Sequence, residues 1–180
     1  MARGGDTRPA LDIYKRLVTE WAARLDLISP GDIDRLEERH ISDSLRALPL
    51  LEKSPTGAFT DVGSGAGLPG IPLAIASGHY VRLIEPRKRR AAFLEECLRT
   101  LALRGEVVIK TAQQAAADPR YARSHAVVLA RALAPPDEAL RLILPLVAPG
   151  GIAAVFLGAS AKIPAGAEEF APGIAIVRVE

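Results

Sequence analysis

The stretch Asp61 to Ile75, DVGSGAGLPGIPLAI, sets four glycines within the eight residues 63–70, with prolines at 69 and 72. Glycine lets a chain turn sharply and lets a ligand lie directly against the main chain. Gly63 and Gly65 suit the turn, and Gly67 and Gly70 suit close packing as a helix begins. Two ligand chemistries match this spacing. Gly65, Gly67 and Gly70 satisfy G-x-G-x-x-G, with Glu85 following Gly65 by 20 residues, as in a dinucleotide site. Asp61, Gly63, Gly65 and Gly67 satisfy D-x-G-x-G-x-G, a pattern for S-adenosylmethionine. In either case Glu85 accepts hydrogen bonds from ribose hydroxyls. A dinucleotide needs free N–H groups at the helix start for its pyrophosphate, and Pro69 and Pro72 supply none. Asp61 suits a ligand with an ammonium group and sits poorly beside a pyrophosphate. Both features favour the methyl donor.

Other residues extend the site. Arg131, in ARALAP (Ala130–Pro135), falls at the end of a strand, where a guanidinium packs poorly and binds ligands well. Gln113 follows the third strand, where an adenine edge would lie. PRKRR, Pro86–Arg90, opens a helix with four cations at the end whose dipole favours acids. It reads either as a solvated face or as a phosphate-binding edge. RHISDS, Arg39–Ser44, carries His40 and Asp43, read as a buried His–Asp hydrogen bond. There is no Ser-His-Asp set, paired carboxylate or metal-ligand cluster, so hydrolysis is not expected. Methyl transfer needs none of these when the acceptor has a free lone pair.

The elements that hold these residues alternate. Apolar runs at 58–62, 80–85, 106–110, 125–130 and 151–157 read as strands, with helical stretches at 69–77, 87–103, 112–117 and 136–147 between them. This is the pattern of an open, doubly wound α/β fold, Rossmann-like and mostly parallel, with a final strand at 174–179. Such sheets bind ligands at the carboxyl ends of their strands, near the switch point. Before the sheet, Leu11, Tyr14, Leu17, Val18, Trp21 and Leu25 recur at helical spacing. SPGD (Ser29–Asp32) then caps a second helical stretch that is expected to break near His40. The organisation is an N-terminal helical extension, 1–53, and a main domain, 54–180, joined at SPTG.

Composition bounds the rest. Apolar residues make 49% of the 180 and aromatics only 4%, so aliphatic side chains must build the core. The net charge is +2, but residues 54–136 hold 11 Lys and Arg against 6 Asp and Glu. The basic middle points toward nucleic acid. The lone Cys97 excludes an intrachain disulfide and a cysteine-based zinc site, and reads as a core thiol. No window approaches the ~20 apolar residues of a spanning helix, and the first ten residues carry no apolar run, so a cytoplasmic protein is expected.

The glycine loop, LIEPRKRRAAFL (Leu83–Leu94), ARALAP and RHISDS together resemble, in order and spacing, the RsmG (GidB) family of bacterial 16S rRNA methyltransferases. EWAARLDLIS, Glu20–Ser29, is similar to the family's tryptophan-containing segment. The resemblance implies a class I S-adenosylmethionine-dependent fold and methyl transfer to N7 of a guanine. By motif, Gly63, Leu68, Ala112, Gln113 and Arg131 contact the cofactor, Asp61, Gly65 and Gly67 complete the loop, and Glu85 matches the family's strand-end acid. Arg131 is cast at the reaction centre as a positioner of guanine or cofactor. Arg87, Lys88, Arg89 and Arg90 are expected on the RNA backbone, with Trp21, Tyr14 and Tyr80 the few aromatics available for stacking. The implied partner is 16S rRNA or the small ribosomal subunit, met by a monomer, with neither DNA nor a membrane involved. A methyltransferase acting on a small molecule or protein, and a non-enzymatic dinucleotide module, are the alternatives. Three departures stand out. Gln113 stands where the family often has an acid, an exchange an adenine site tolerates. Leu157 replaces a family lysine, for which Lys162 is the nearest substitute, and the C-terminal end is short, with a single reliable strand expected there.

Overall fold

A computed structural model describes residues 6–52 and 57–180. The SPTG joint and the 53/54 division therefore fall almost wholly outside the described residues. Pro9 lies in the first turn of α1 (Arg8–Leu25), whose last carbonyls end at Asp26 in a left-handed conformation. A 3₁₀ turn (Pro30–Asp32) leads to a π-helical turn (Glu37–Ile41), then to α2 (Ser42–Leu45) and α3 (Leu48–Glu52). The expected break near His40 is this π turn, closed by Ser42 N–H donating to the Glu37 carbonyl five residues back.

The main sheet contains β1 (Ala58–Val62), β2 (Tyr80–Ile84), β3 (Gly105–Val108), β4 (His125–Arg131), β5 (Val147–Phe156), β6 (Glu168–Ala171) and β7 (Ile174–Arg178). Their order is β3-β2-β1-β4-β5-β7-β6. β1 to β5 run parallel, while β7 is antiparallel to both β5 and β6. The connecting helices are α4 (Gly70–Ser77), α5 (Lys88–Thr100), α6 (Ala112–Ala116) and α7 (Pro136–Ile143). This is the expected open, mostly parallel sheet. The C-terminal expectation needs correction: two strands form there, not one. β6 is short and its pattern EEFA half-exposed, so no alternation announces it; pairing with β7 makes it a strand. β5 also begins earlier than expected: α7 gives way after Ile143 to a 3₁₀ turn (Leu144–Leu146), and the strand starts directly at Val147.

Strand parity sorts the side chains into two cores. Phe59, Val81, Leu83, Val127 and Leu129 face one core, shared with Tyr14, Leu17, Val18 and Ile41 of the N-terminal helices and with Ile71 and Phe93. Val62, Ile84, Val128 and Ala130 face the other, covered by Ala112, Ala115, Leu140 and Ile143. Cys97 is fully buried in the first core, and burial lifts its thiol to about 12, as a core residue requires. Among the described residues no helix is long and apolar enough to cross a membrane.

The N-terminal helices are bound into the domain by more than apolar contact. α1 lies across α4 and α5. Tyr14 is fully buried there, and its hydroxyl donates to the Ala66 carbonyl of the glycine loop at 2.7 Å. Tyr14→Phe leaves that buried carbonyl unpaired and is expected to cost about 1–3 kcal/mol. Urea unfolding of the two proteins measures it, the variant's midpoint falling with an unchanged slope.

Candidate functional site

The register sets the site. Val62 at the tip of β1 pairs with Ile84 on one side and with Ala130 on the other. The next residues of the three strands, Gly63, Glu85 and Arg131, thus stand at one level, at the switch point where β1 is flanked by β2 and β4. The loop leaving β1 is held from beneath by two carboxylates. Asp61, on the first-core face, is completely buried, and its Oδ2 accepts from Gly70 N–H at 3.1 Å. Glu85 is 3% exposed; its Oε2 accepts from Gly65 N–H at 3.0 Å and its Oε1 from Arg87 N–H at 2.8 Å. The residue expected to meet ribose hydroxyls is therefore also a tie between β2, the loop and the entry of α5.

Two glycines are demanded by these contacts. A Cβ on Gly70 would stand 2.8 Å from Asp61 Oδ2 and 2.6 Å from Leu83 Cδ2. A Cβ on Gly63, at φ +74°, would stand 2.7 Å from Leu133 Cδ1. Leu133 arrives there because Ala132 adopts φ +53°, a left-handed conformation that costs a non-glycine residue energy and recurs at functional sites. Leu68, 5% exposed, closes the loop against the first core.

The first turn of α4 has little to offer a pyrophosphate. Gly70 N–H is taken by Asp61, Ile71 N–H by the Gly67 carbonyl and Leu73 N–H by the Pro69 carbonyl, while Pro69 and Pro72 have none. This weighs against the dinucleotide reading on geometry, beyond the two prolines. Asp61 points the same way. Its Oδ1 is buried without a hydrogen-bond partner, and burial raises the carboxyl to about 7, against the opposing influence of Gly70 N–H, the nearby Ser64 hydroxyl and Arg131.

Beyond the tip of β3, Thr111 and Gln114 form a reciprocal capping box at the start of α6. It leaves Ala112 buried and Gln113 exposed, two strands from β1. Across the switch point, Arg131 does something the sequence reading did not foresee. The expected His40–Asp43 hydrogen bond is absent, and both residues instead meet Arg131. Its Nη2 lies 2.7 Å from His40 Nδ1, and its Nη1 donates to the His40 carbonyl at 3.3 Å and to Asp43 Oδ2 at 3.5 Å. One signal was present in the sequence. Counting outward from Leu129, parity puts Arg131 on the same face of the sheet as the N-terminal helices.

The cationic run is also partly explained. Arg89 Nη2 donates to the Arg24 carbonyl at 3.2 Å and Arg90 Nη2 to the Asp26 carbonyl at 2.8 Å, so two cations misplaced on their own helix cap the C-terminal end of α1. Together with Arg24, Arg87 and Lys88 they line a groove of about 340 Å³. Arg90 Nη1 comes within 3.7 Å of the point where a Gly65 Cβ would sit, so this groove adjoins the glycine loop. Tyr14 is buried and Trp21 packs on Phe93 at 5.8 Å, which removes Tyr14 as a stacking platform and leaves Trp21 in an aromatic pair. Leu157 is half-buried, its N–H bonded to Gly173, and Lys162 is exposed.

The family model for rRNA small subunit methyltransferase G (GidB) matches residues 7–176. The chain belongs to this family. Its rRNA small subunit methyltransferase G relatives include one from Granulibacter bethesdensis, 39% identical over 157 residues, covering 87% of this chain and 71% of that protein. Another, from Acidiphilium cryptum, is 41% identical over 166 residues, covering 88% and 72%. Solved structures agree on the fold. A Corynebacterium glutamicum protein superposes with a TM-score of 0.60 at 16% identity, over 93% of this chain and 89% of its own. A SAM-dependent O-methyltransferase from Thermotoga maritima gives 0.52 at 20% identity, over 72% and 49%. The methyltransferase G match spans the π turn as well as the sheet, so His40 and Arg131 both fall inside it.

The raised Asp61 carboxyl is expected to make the stability of this chain pH-dependent. Its folded-state value lies above the unfolded value of 3.8, so its contribution favours the fold at low pH and is lost as pH rises through about 7. In Asp61→Asn the amide oxygen can keep the Gly70 bond without a buried charge. Thermal melts at pH 5 and pH 8 are expected to show the variant gaining on wild type by more than ~2 °C between the two.

Proposed function

We propose that this chain transfers a methyl group from S-adenosylmethionine to N7 of a guanine in 16S rRNA, with the small ribosomal subunit as its substrate. The observation that carries this reading is membership of the rRNA small subunit methyltransferase G family along nearly the whole chain, through the loop and both flanking strand tips. The chemistry of the site fits the ligand. Bare main chain at Gly63, Gly65 and Gly67 suits a flat nucleoside, and the unpaired buried Oδ1 of Asp61 suits an ammonium group at the crevice floor. Glu85 keeps lone pairs beyond the two N–H groups it accepts, available to ribose hydroxyls. Leu68 and the Ala112–Gln113 pair would flank the adenine. Arg131 holds the far side, toward the methionine carboxylate or the incoming base.

The bound cofactor supplies a methyl group activated by a sulfonium. Guanine N7 carries its lone pair in the plane of the ring, so the N–C bond forms as the S–C bond breaks and no proton need leave first. The protein's share is then alignment and exclusion of water, and oriented proximity contributes on the order of 7–11 kcal/mol. A site without a general base is consistent with this. Arg131 stays charged and acts as a positioner. The exposed Arg87, Lys88 and Arg89, with the half-buried Arg90, would meet phosphates, fixing the register of the RNA without reading its sequence.

Calorimetry is expected to give binding of S-adenosylhomocysteine and none of NAD. In cells lacking the protein, mass spectrometry of 16S rRNA should show one N7-methylguanine lost. Wild type restores it, and Arg131→Ala lowers the transfer rate in vitro by about 100-fold or more. A full complement of N7-methylguanine in the deletion strain overturns the proposed acceptor and turns attention to a small-molecule or protein substrate.

A further inference from the structure

We propose that His40, held in the π turn, is a positioning residue for methyl transfer: as a neutral imidazole it receives Arg131 and sets the direction of the guanidinium at the tip of β4. This rests on the reading of Arg131 as a ligand-facing residue and assigns the part that holds it.

The geometry is specific. A guanidinium on a long side chain at an open strand end has many rotamers, and holding one requires acceptors on a rigid element. The π turn supplies two, the His40 ring nitrogen at 2.7 Å and the His40 carbonyl at 3.3 Å, and α2, which follows it directly, adds Asp43 Oδ2 at 3.5 Å. These contacts engage Nη1 and Nη2 and leave Nε–H without a partner among the described residues. The π turn is itself held. Ile41 is buried in the first core, Ser44 Oγ donates to the His40 carbonyl at 2.6 Å, and Ser42 Oγ donates to the Glu37 carbonyl at 3.0 Å. Arg131 is correspondingly well enclosed, with 16% of its side chain exposed.

The contact also fixes a tautomer. Arg131 can only donate, so His40 Nδ1 accepts and the ring proton sits on Nε2. That atom is buried and has no hydrogen-bond partner, but Asp32 Oδ2 lies 3.6 Å away and favours the proton there. Arg39 neutralises the other oxygen of Asp32 at 2.6 Å, and Arg46 pairs with Asp43 Oδ1 at 2.8 Å. The groups facing the imidazole are therefore Arg131 from β4, Asp32 from the 3₁₀ turn and Arg39 from its own turn. Burial, then Arg131, holds His40 below its ordinary value, so the ring is neutral at pH 7. Protonation at lower pH removes the acceptor and sets a cation against Arg131. A positioning role thus carries an acid limb that belongs to His40.

The test uses full-length wild type, His40→Ala and His40→Asn, with S-adenosylhomocysteine calorimetry and transfer of labelled methyl groups to small subunits from the deletion strain. The asparagine amide oxygen falls near the place of Nδ1 and does not titrate. His40→Ala is expected to lose on the order of 10- to 100-fold in kcat/KM, the range for a hydrogen bond to a charged group. His40→Asn should recover at least tenfold of that loss. Between pH 7.5 and 5.5 the ratio of wild-type to His40→Asn activity should fall; any Asp61 titration is common to both and cancels. His40→Ala within twofold of wild type, His40→Asn no better than His40→Ala, or a flat ratio would each overturn the proposal. If wild type itself fails to bind S-adenosylhomocysteine, the cofactor reading falls and this role in methyl transfer falls with it. Binding by wild type with indifferent His40 variants sinks the positioning role alone.

Discussion

The site depends on two buried carboxylates that hold a glycine loop from below. Asp61 and Glu85 stand at the ends of adjacent parallel strands; Glu85 accepts the Gly65 N–H of the loop, and Asp61 the Gly70 N–H where the loop enters α4. A loop with several residues in left-handed conformations has little intrinsic preference for one shape. Charge-assisted hydrogen bonds in a dry interior give it one, because an unsatisfied donor there is expensive. The cost appears at Asp61, whose carboxyl is pushed to about 7 by burial. A fold that optimised only its own stability would not retain an acid there. Its retention fits a crevice shaped for a positively charged guest.

The second constraint is the partnership between the N-terminal helices and the sheet. They share one apolar core. Through it they deliver Tyr14 to the loop carbonyl of Ala66, and His40 and Asp43 to Arg131. In return, α5 sends Arg89 and Arg90 to the C-terminal carbonyls of α1. Both walls of the crevice are thus braced by residues far away in sequence. The basic groove between α1 and α5 opens beside the loop for the same reason: one helix contact builds both. On the proposed function, holding an RNA backbone and aligning a methyl donor would both rest on this one helix contact.

Much of this was legible in the residues. Strand–helix alternation from Ala58 onward dictated the parallel sheet, and the spacing of Asp61, Gly63, Gly65, Gly67 and Glu85 marked the edge where the candidate site lies. Pro69 and Pro72 already argued against a pyrophosphate. What stayed hidden had identifiable causes. β6 lacks an alternating pattern and exists only by pairing with β7. The cations at Arg89 and Arg90 looked wrongly placed because their partners are carbonyls on another helix. His40 and Asp43 looked like partners of each other because they are neighbours in sequence.

Local sequence by itself determined which segments would be strands and helices, where the chain would turn, and which short stretch had the conformational freedom to receive a ligand. These follow from periodicity and from the special backbones of glycine and proline, which act over a few residues. Only the tertiary structure decided who meets Arg131, which N–H groups Asp61 and Glu85 consume, and which helix end the PRKRR cations serve. The longest of those pairings, from Gly65–Glu85 to Arg131–His40, cross 20 to 91 residues of chain. They are set by strand register and by the packing of α1 and the π turn onto the sheet, and neither quantity is written in any local window.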